Sequence, residues 1–148
     1  MTPRDSPLVA NDRWELHPQL VADTAAVGNL PLCRVLLMDD ANYPWLILVP
    51  RRPGLVEVLD LSASEQAVLM EEVAQAADAL RAITRCEKLN IAALGNAVSQ
   101  LHVHVIARFR SDIAWPRPVW GVAPARRYGS EDLAGLLGSL RAGLALQV

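Results

Sequence analysis

Two cysteines, one phenylalanine and three histidines are few for 148 residues, and aromatic side chains make up only 5% of the chain. Cys33 and Cys86 stand too far apart to form a disulfide framework, and no Cys-x-x-Cys pair exists. The simplest setting is therefore a reducing cytoplasm. No apolar run approaches the ~18 residues that a membrane span needs. The opening Met1-Thr-Pro-Arg-Asp-Ser-Pro has no apolar stretch behind a basic region, so no signal peptide is expected. A strong charge of either sign is missing too. A net charge of −2 and a pI near 5.9 argue against a nucleic-acid polymer or an anionic membrane as partner.

What is present is enough apolar material, 52% of residues, to build a core. A length of 148 residues suits one domain. We expect a single domain over 1–148, with a core of about 14–122 and a C-terminal helical extension of about 130–146. Residues 1–13 are polar with two prolines and read as a loose arm. Trp14-Glu15-Leu16 reads as a short strand ended by His17-Pro18, and 23–31 as a connection containing Gly28, Asn29 and Pro31. Cys33–Met38 and the nearly continuous apolar Trp45–Pro50 form an antiparallel hairpin, the second strand central in its sheet. Asp39–Pro44 is the turn between them.

Ser62 followed by Glu65 has the spacing of a helix N-cap with its reciprocal acid. Leu69, Val73, Ala76, Leu80 and Ile83 then form one apolar stripe at helical spacing. Lys88–Leu94 reads as a strand, Gly95-Asn96 as a turn and Gln100–Arg108 as a further strand. Ser130-Glu131-Asp132 opens a last helix with the stripe Leu133, Leu136, Leu137, Leu140, Leu144.

Chemistry concentrates at 95–106. From Gln100 onward the chain alternates, with Gln100, His102 and His104 on one parity and Leu101, Val103 and Val105 on the other. That is the period of a half-buried strand. It sets an amide and two imidazoles in a row on one face, neighbours ~6.6–6.8 Å apart. A neutral histidine attacks phosphorus through one ring nitrogen when its other N–H is held by a carbonyl. A second imidazole can orient the phosphate or help the leaving oxygen. Asn96, Ser99 and the backbone between them can donate to phosphate oxygens. Two other readings stay open: a solvated strand face without function, and zinc bound by the His-x-His pair, with His17 or a carboxylate to complete its ligands.

Gln100-Leu-His-Val-His-Val-Ile106 resembles the histidine triad (HIT) superfamily signature, His-φ-His-φ-His-φ-φ, with glutamine in the first position. Gly95 before the presumed nucleophile is similar to the family's Gly-Gln step. Asp39-Asp40 through Arg51-Arg52 resembles its turn, strand and Val-Ile-Pro-Lys segment, and Leu59–Glu65 its helix entry. Arg108 through Trp115-Pro116 is similar to the tail of the nucleoside phosphoramidase branch. The likeness covers roughly residues 33–120.

The resemblance implies an α+β fold, a five-stranded antiparallel sheet with one long helix and a C-terminal helix, dimerising into a continuous sheet. It implies cleavage or transfer at the α-phosphate of a purine nucleotide conjugate through a covalent nucleotidyl-histidine, with no metal and no cofactor. Carried over, His102 is the nucleophile and His104 contacts the phosphate or leaving group. Gln100 is the altered triad member, Asn96 and Ser99 bind phosphate, and Asp39 and Asn90 fall near the ribose. Gln100, Pro44-Trp45 in place of Gly-His, and Ala97 in place of Ser or Thr depart from the pattern. A nucleotide-binding module of the same fold without turnover is therefore the alternative. Arg108 and Arg110 share the histidines' parity and can meet phosphates, while Arg51-Arg52 read as surface charges. Trp115 and Trp120 suit a dimer edge or a base pocket.

Overall fold

The structure, a computed structural model, describes residues 13–147. All but the last residue of the expected N-terminal arm lies outside them. Three helices and five strands follow in the order α1 (Pro18–Asp23), β1 (Thr24–Asn29), β2 (Cys33–Met38), β3 (Trp45–Pro50), α2 (Ala63–Thr84), β4 (Lys88–Ala92), β5 (Val103–Arg108) and α3 (Ser130–Gly143). The sheet order is β1-β2-β3-β5-β4, with every neighbouring pair antiparallel. This is the α+β architecture expected. Among the described residues no helix is long and apolar enough to cross a membrane.

β3 is buried along its whole length, as its unbroken apolar sequence requires of a central strand. α2 starts where the capping signal puts it: the Ser62 hydroxyl accepts from the Glu65 backbone N–H. Its stripe of Leu69, Val73, Ala76 and Leu80 packs on Val35, Leu37, Leu46, Leu48, Val103, Val105 and Ala107, one face of the sheet. Leu140 and Leu144 join the same core and bring α3 onto it. Within that core, the Glu72 carboxylate of α2 accepts the backbone N–H groups of Leu32 and Cys33, each at 2.8 Å. The helix is thereby fastened to the start of β2.

The opposite face carries a second apolar cluster of Leu36, Tyr43, Trp45, Ile47, Val49 and Ile106, covered by Leu20, Ala114 and Val119. This corrects the half-buried strand. β5 is buried on both faces because the segment before β1 and the loop after β5 fold back over the histidine side.

Four boundaries differ from the sequence reading. Trp14–Leu16 is not a strand. Pro18, read as a strand terminator, instead takes the first position of α1, where its missing N–H costs nothing, and the His17 ring caps that helix by accepting from Gln19 N. The supposed connection at 23–31 contains β1, an edge strand with a bulge between Ala26 and Gly28. There a Cβ on Gly28 would lie 2.7 Å from the Leu146 side chain, so glycine lets the C-terminal tail approach. β4 stops at Ala92 and β5 starts at Val103, so Gln100 and His102 precede the ladder.

Candidate active site

The turn after β4 needs a left-handed residue, and Gly95 supplies it at φ +74°. The chain then returns through 96–102 to enter β5 between β3 and β4. His104 pairs in register with Ile47 on one side and Ala92 on the other. His102 lies just before the strand on the same face, and the two rings meet edge to face with centroids 4.8 Å apart.

Each ring has one nitrogen engaged by a partner whose role is fixed. His102 Nδ1 is 2.6 Å from the Gln100 carbonyl oxygen. A carbonyl only accepts, so Nδ1 carries the proton and Nε2 keeps a free lone pair. His104 Nδ1 is 3.0 Å from Trp45 Nε1. An indole N–H only donates, so here Nδ1 is the lone pair and Nε2 carries the proton. The two imidazoles therefore hold opposite tautomers, an unengaged Nε2 lone pair on one beside an Nε2–H on the other. Burial, with a smaller contribution from His102, lowers the His104 pKa to about 4, so it is neutral at pH 7. Trp120 covers it, its ring centroid 5.0 Å from the imidazole and 5.8 Å from Trp45.

His102 reaches a cavity of about 250 Å³ walled by Val56, Leu59, Leu94 and Gly95. A neighbouring one of about 260 Å³ is lined by His17, Gly54, Ser99 and Gln100. Ser99 and Asn96 are exposed on the connecting loop. The Gln100 side chain turns away from the histidines. Its oxygen accepts from His17 N at 2.9 Å and its amide donates to the Glu15 carbonyl at 2.8 Å, so it holds the 15–17 segment in place.

The remaining sequence candidates take partners elsewhere. The Asp39 carboxylate accepts from the Tyr128 backbone and from Arg127, anchoring the approach to α3. Asn90 accepts from Arg108. Arg108 is no free phosphate ligand. It is 1% exposed, holds Asp112 through Nε and Nη2, and lies beside the Tyr43 and Trp115 rings. Trp115 thus stacks on Arg108, while Trp120 belongs to the histidine site. Arg51 and Arg52 are not loose surface charges either: Arg51 donates to the Leu30 and Pro31 carbonyls and Arg52 pairs with Glu65 at 2.8 Å.

Among the described residues no group of three or more His, Cys, Asp and Glu gathers as a metal site. Burial and the Glu72 carboxylate push the Cys33 thiol well above its usual range, which leaves it a poor nucleophile. The sequence reading noted Trp45 only as a departure from a motif. Its partnership with His104 follows from register, because Trp45 faces Ile106 and so stands diagonal to His104.

A five-stranded antiparallel sheet with two imidazoles of opposite tautomer at the start of its inserted strand, backed by one long helix, defines a histidine-based α+β protein. The HIT domain family matches residues 19–111, and the chain belongs to that family. Among solved structures, the chain is similar to a histidine triad protein from Bradyrhizobium japonicum at 53% identity and a TM-score of 0.87, covering 88% of this chain and 98% of that one. A histidine triad protein from Sinorhizobium meliloti is 42% identical with a TM-score of 0.87, covering 89% and 98%. One from Marinobacter aquaeolei is 42% identical with a TM-score of 0.86, covering 88% and 96%. No curated protein matches the chain.

Proposed function

We propose that the protein is a nucleotide hydrolase or nucleotidyl transferase that acts at the α-phosphate of a purine nucleotide conjugate through a covalent nucleotidyl-histidine on His102. The supporting observation is the 2.6 Å contact between His102 Nδ1 and the Gln100 carbonyl, which leaves the Nε2 lone pair unengaged in a ring that lines a cavity. In the first step Nε2 forms a bond to phosphorus, the bond to the leaving group breaks, and its electron pair departs with that group. The positive charge left on the imidazole is stabilised by the same carbonyl. In the second step the oxygen of water, or of an acceptor hydroxyl, bonds to phosphorus, its proton passes to solvent, and the P–N bond pair returns to Nε2. His104 Nε2–H donates to the phosphoryl or leaving oxygen, and Asn96 and Ser99 line the approach to it. No cofactor or metal takes part in this reading.

The expected experiment combines dinucleoside polyphosphates and nucleoside phosphoramidates with the native chain and with His102→Ala. Native protein should show a nucleotidyl mass increment localised to His102. The variant should lose activity by at least about 10⁴-fold, since the nucleophile itself is gone. Full turnover by His102→Ala would sink the assignment.

The second reading, a nucleotide-binding module without turnover, is favoured by the occupied Gln100 side chain, which relays no proton. Binding without adduct or product would select it.

A homodimer joined through β4 accords with that strand's place at the sheet edge and with half-exposed Ile91 and Leu94. Free Cys33 and Cys86 suit a reducing cytoplasm.

A further inference from the structure

Trp45 is buried at 6% exposure and cannot easily turn. Tyr43 and Trp120 each meet its ring edge-on, at 6.3 and 5.8 Å. Its indole N–H points at His104 Nδ1. A second proton on His104 would set two N–H groups against each other and strand the indole donor in a buried position. Nothing around the ring offsets this. Just before its own strand, His102 adds like charge when protonated. Arg108 lies further along the same face, with its guanidinium held by Asp112 and Asn90. From β3 the neighbours are Ile47 and Trp45, from β4 Ala92, and from the loop after β5 Trp120. None of these carries a carboxylate that would favour an imidazolium. Gln100 has both polar side-chain atoms engaged by the 15–17 backbone.

Resting on His102 as nucleophile, we infer that Trp45 is a positioning residue that makes His104 a hydrogen-bond donor that retains its proton. The site then serves conjugates whose leaving group departs as an anion from a P–O anhydride bond, in preference to amines joined by P–N. When Nε2 of His102 attacks an anhydride, the P–O bond pair leaves on a phosphate or nucleotide oxygen. That oxygen is a weak base and needs no proton from the protein, and the His104 N–H stabilises its charge. An amine cannot depart as an anion, so breaking P–N requires a proton on nitrogen in the same step. The donor at hand is His104 Nε2–H, and with the indole N–H on Nδ1 the ring takes no second proton, so it can donate a hydrogen bond without giving its proton up.

Two probes sharing one nucleotide test this: diadenosine tetraphosphate and an adenosine 5′-phosphoramidate of a primary alkylamine. The full-length native protein should cleave the anhydride about 100-fold or more faster in kcat/KM at pH 7, the scale of one missing general acid. Trp45→Phe keeps a buried ring but removes the donor. It should narrow that ratio about tenfold, with phosphoramidate turnover gained as the pH falls toward 5.5. A merely structural loss would slow both probes alike and leave the ratio unmoved, which would overturn the proposal.

A second measurement needs no variant. Two-bond ¹⁵N–¹H spectra of native protein should show His104 as the Nε2–H tautomer throughout pH 5–8. An Nδ1–H tautomer or an imidazolium at pH 6–7 overturns the proposal. Equal turnover of the two probes overturns the leaving-group assignment alone. Turnover of neither, with no adduct on His102, overturns it together with the nucleophile it rests on.

Discussion

His104, with its pKa lowered to about 4, makes folding sensitive to acid. In the unfolded chain the same ring takes up a proton near its ordinary value of 6.5, while in the folded protein it does so only near 4. Between those values the unfolded state binds more protons, so stability falls as the pH drops. The loss begins below about pH 6.5 and is complete below about pH 4, reaching about 3 kcal/mol. Urea midpoints measured from pH 7.5 to 4 should therefore decline more steeply for native protein than for His104→Gln, whose side chain does not titrate. Parallel slopes would show that the burial around His104 is not what sets acid stability. The same residue marks how far its sequence spoke. Two imidazoles two positions apart are legible as sharing a strand face. That Trp45 fixes the tautomer of one of them depends on a register between strands separated by the whole of α2 and β4.

At the scale of elements, β2, β3, α2 and α3 were readable because each carries its own signal. β2 and β3 are apolar runs bounded by turn residues, α2 has Ser62 and its stripe, and α3 begins in an acidic first turn. β1 and α1 carry none. Thr24–Asn29 contains two alanines, a glycine and a bulge, and becomes a strand because β2 offers it a ladder. α1 is six residues long and is held by its His17 cap and by burial of Leu20. Glu72 was equally hidden, since a carboxylate on a helix ordinarily faces water. Its two bonds to Leu32 and Cys33 give the α2–β2 junction a measurable weight. Glu72→Ala leaves two buried N–H groups unsatisfied and should cost about 3 kcal/mol in chemical denaturation, with strand content unchanged in the surviving fold. A loss below about 1 kcal/mol would mean that water replaces the carboxylate there.

At the scale of the molecule, the order β1-β2-β3-β5-β4 leaves β4 as an outer strand with Ile91 half exposed. If two copies join along it, as proposed, Ile91→Asp should convert a dimer of about 32 kDa into a monomer in light scattering, because buried like charges repel across a twofold axis. A native chain that is already monomeric at micromolar concentration would dismiss that interface. Covering of the histidine face is likewise a property of the whole. It needs the 14–20 segment and the loop bearing Val119 and Trp120, which lie far apart in the chain.

The insertion of β5 between β3 and β4 also has a meaning for biosynthesis. Leu48 waits for Val103, so while the ribosome is still adding α2 and β4 the inner border of β3 has no ladder partner and its apolar side chains have no cover. A nascent chain interrupted there presents an adhesive border and no trace of the paired rings. Pairing of the two rings and closure of the sheet therefore arrive together, and a fragment released early carries the open border without the ring pair.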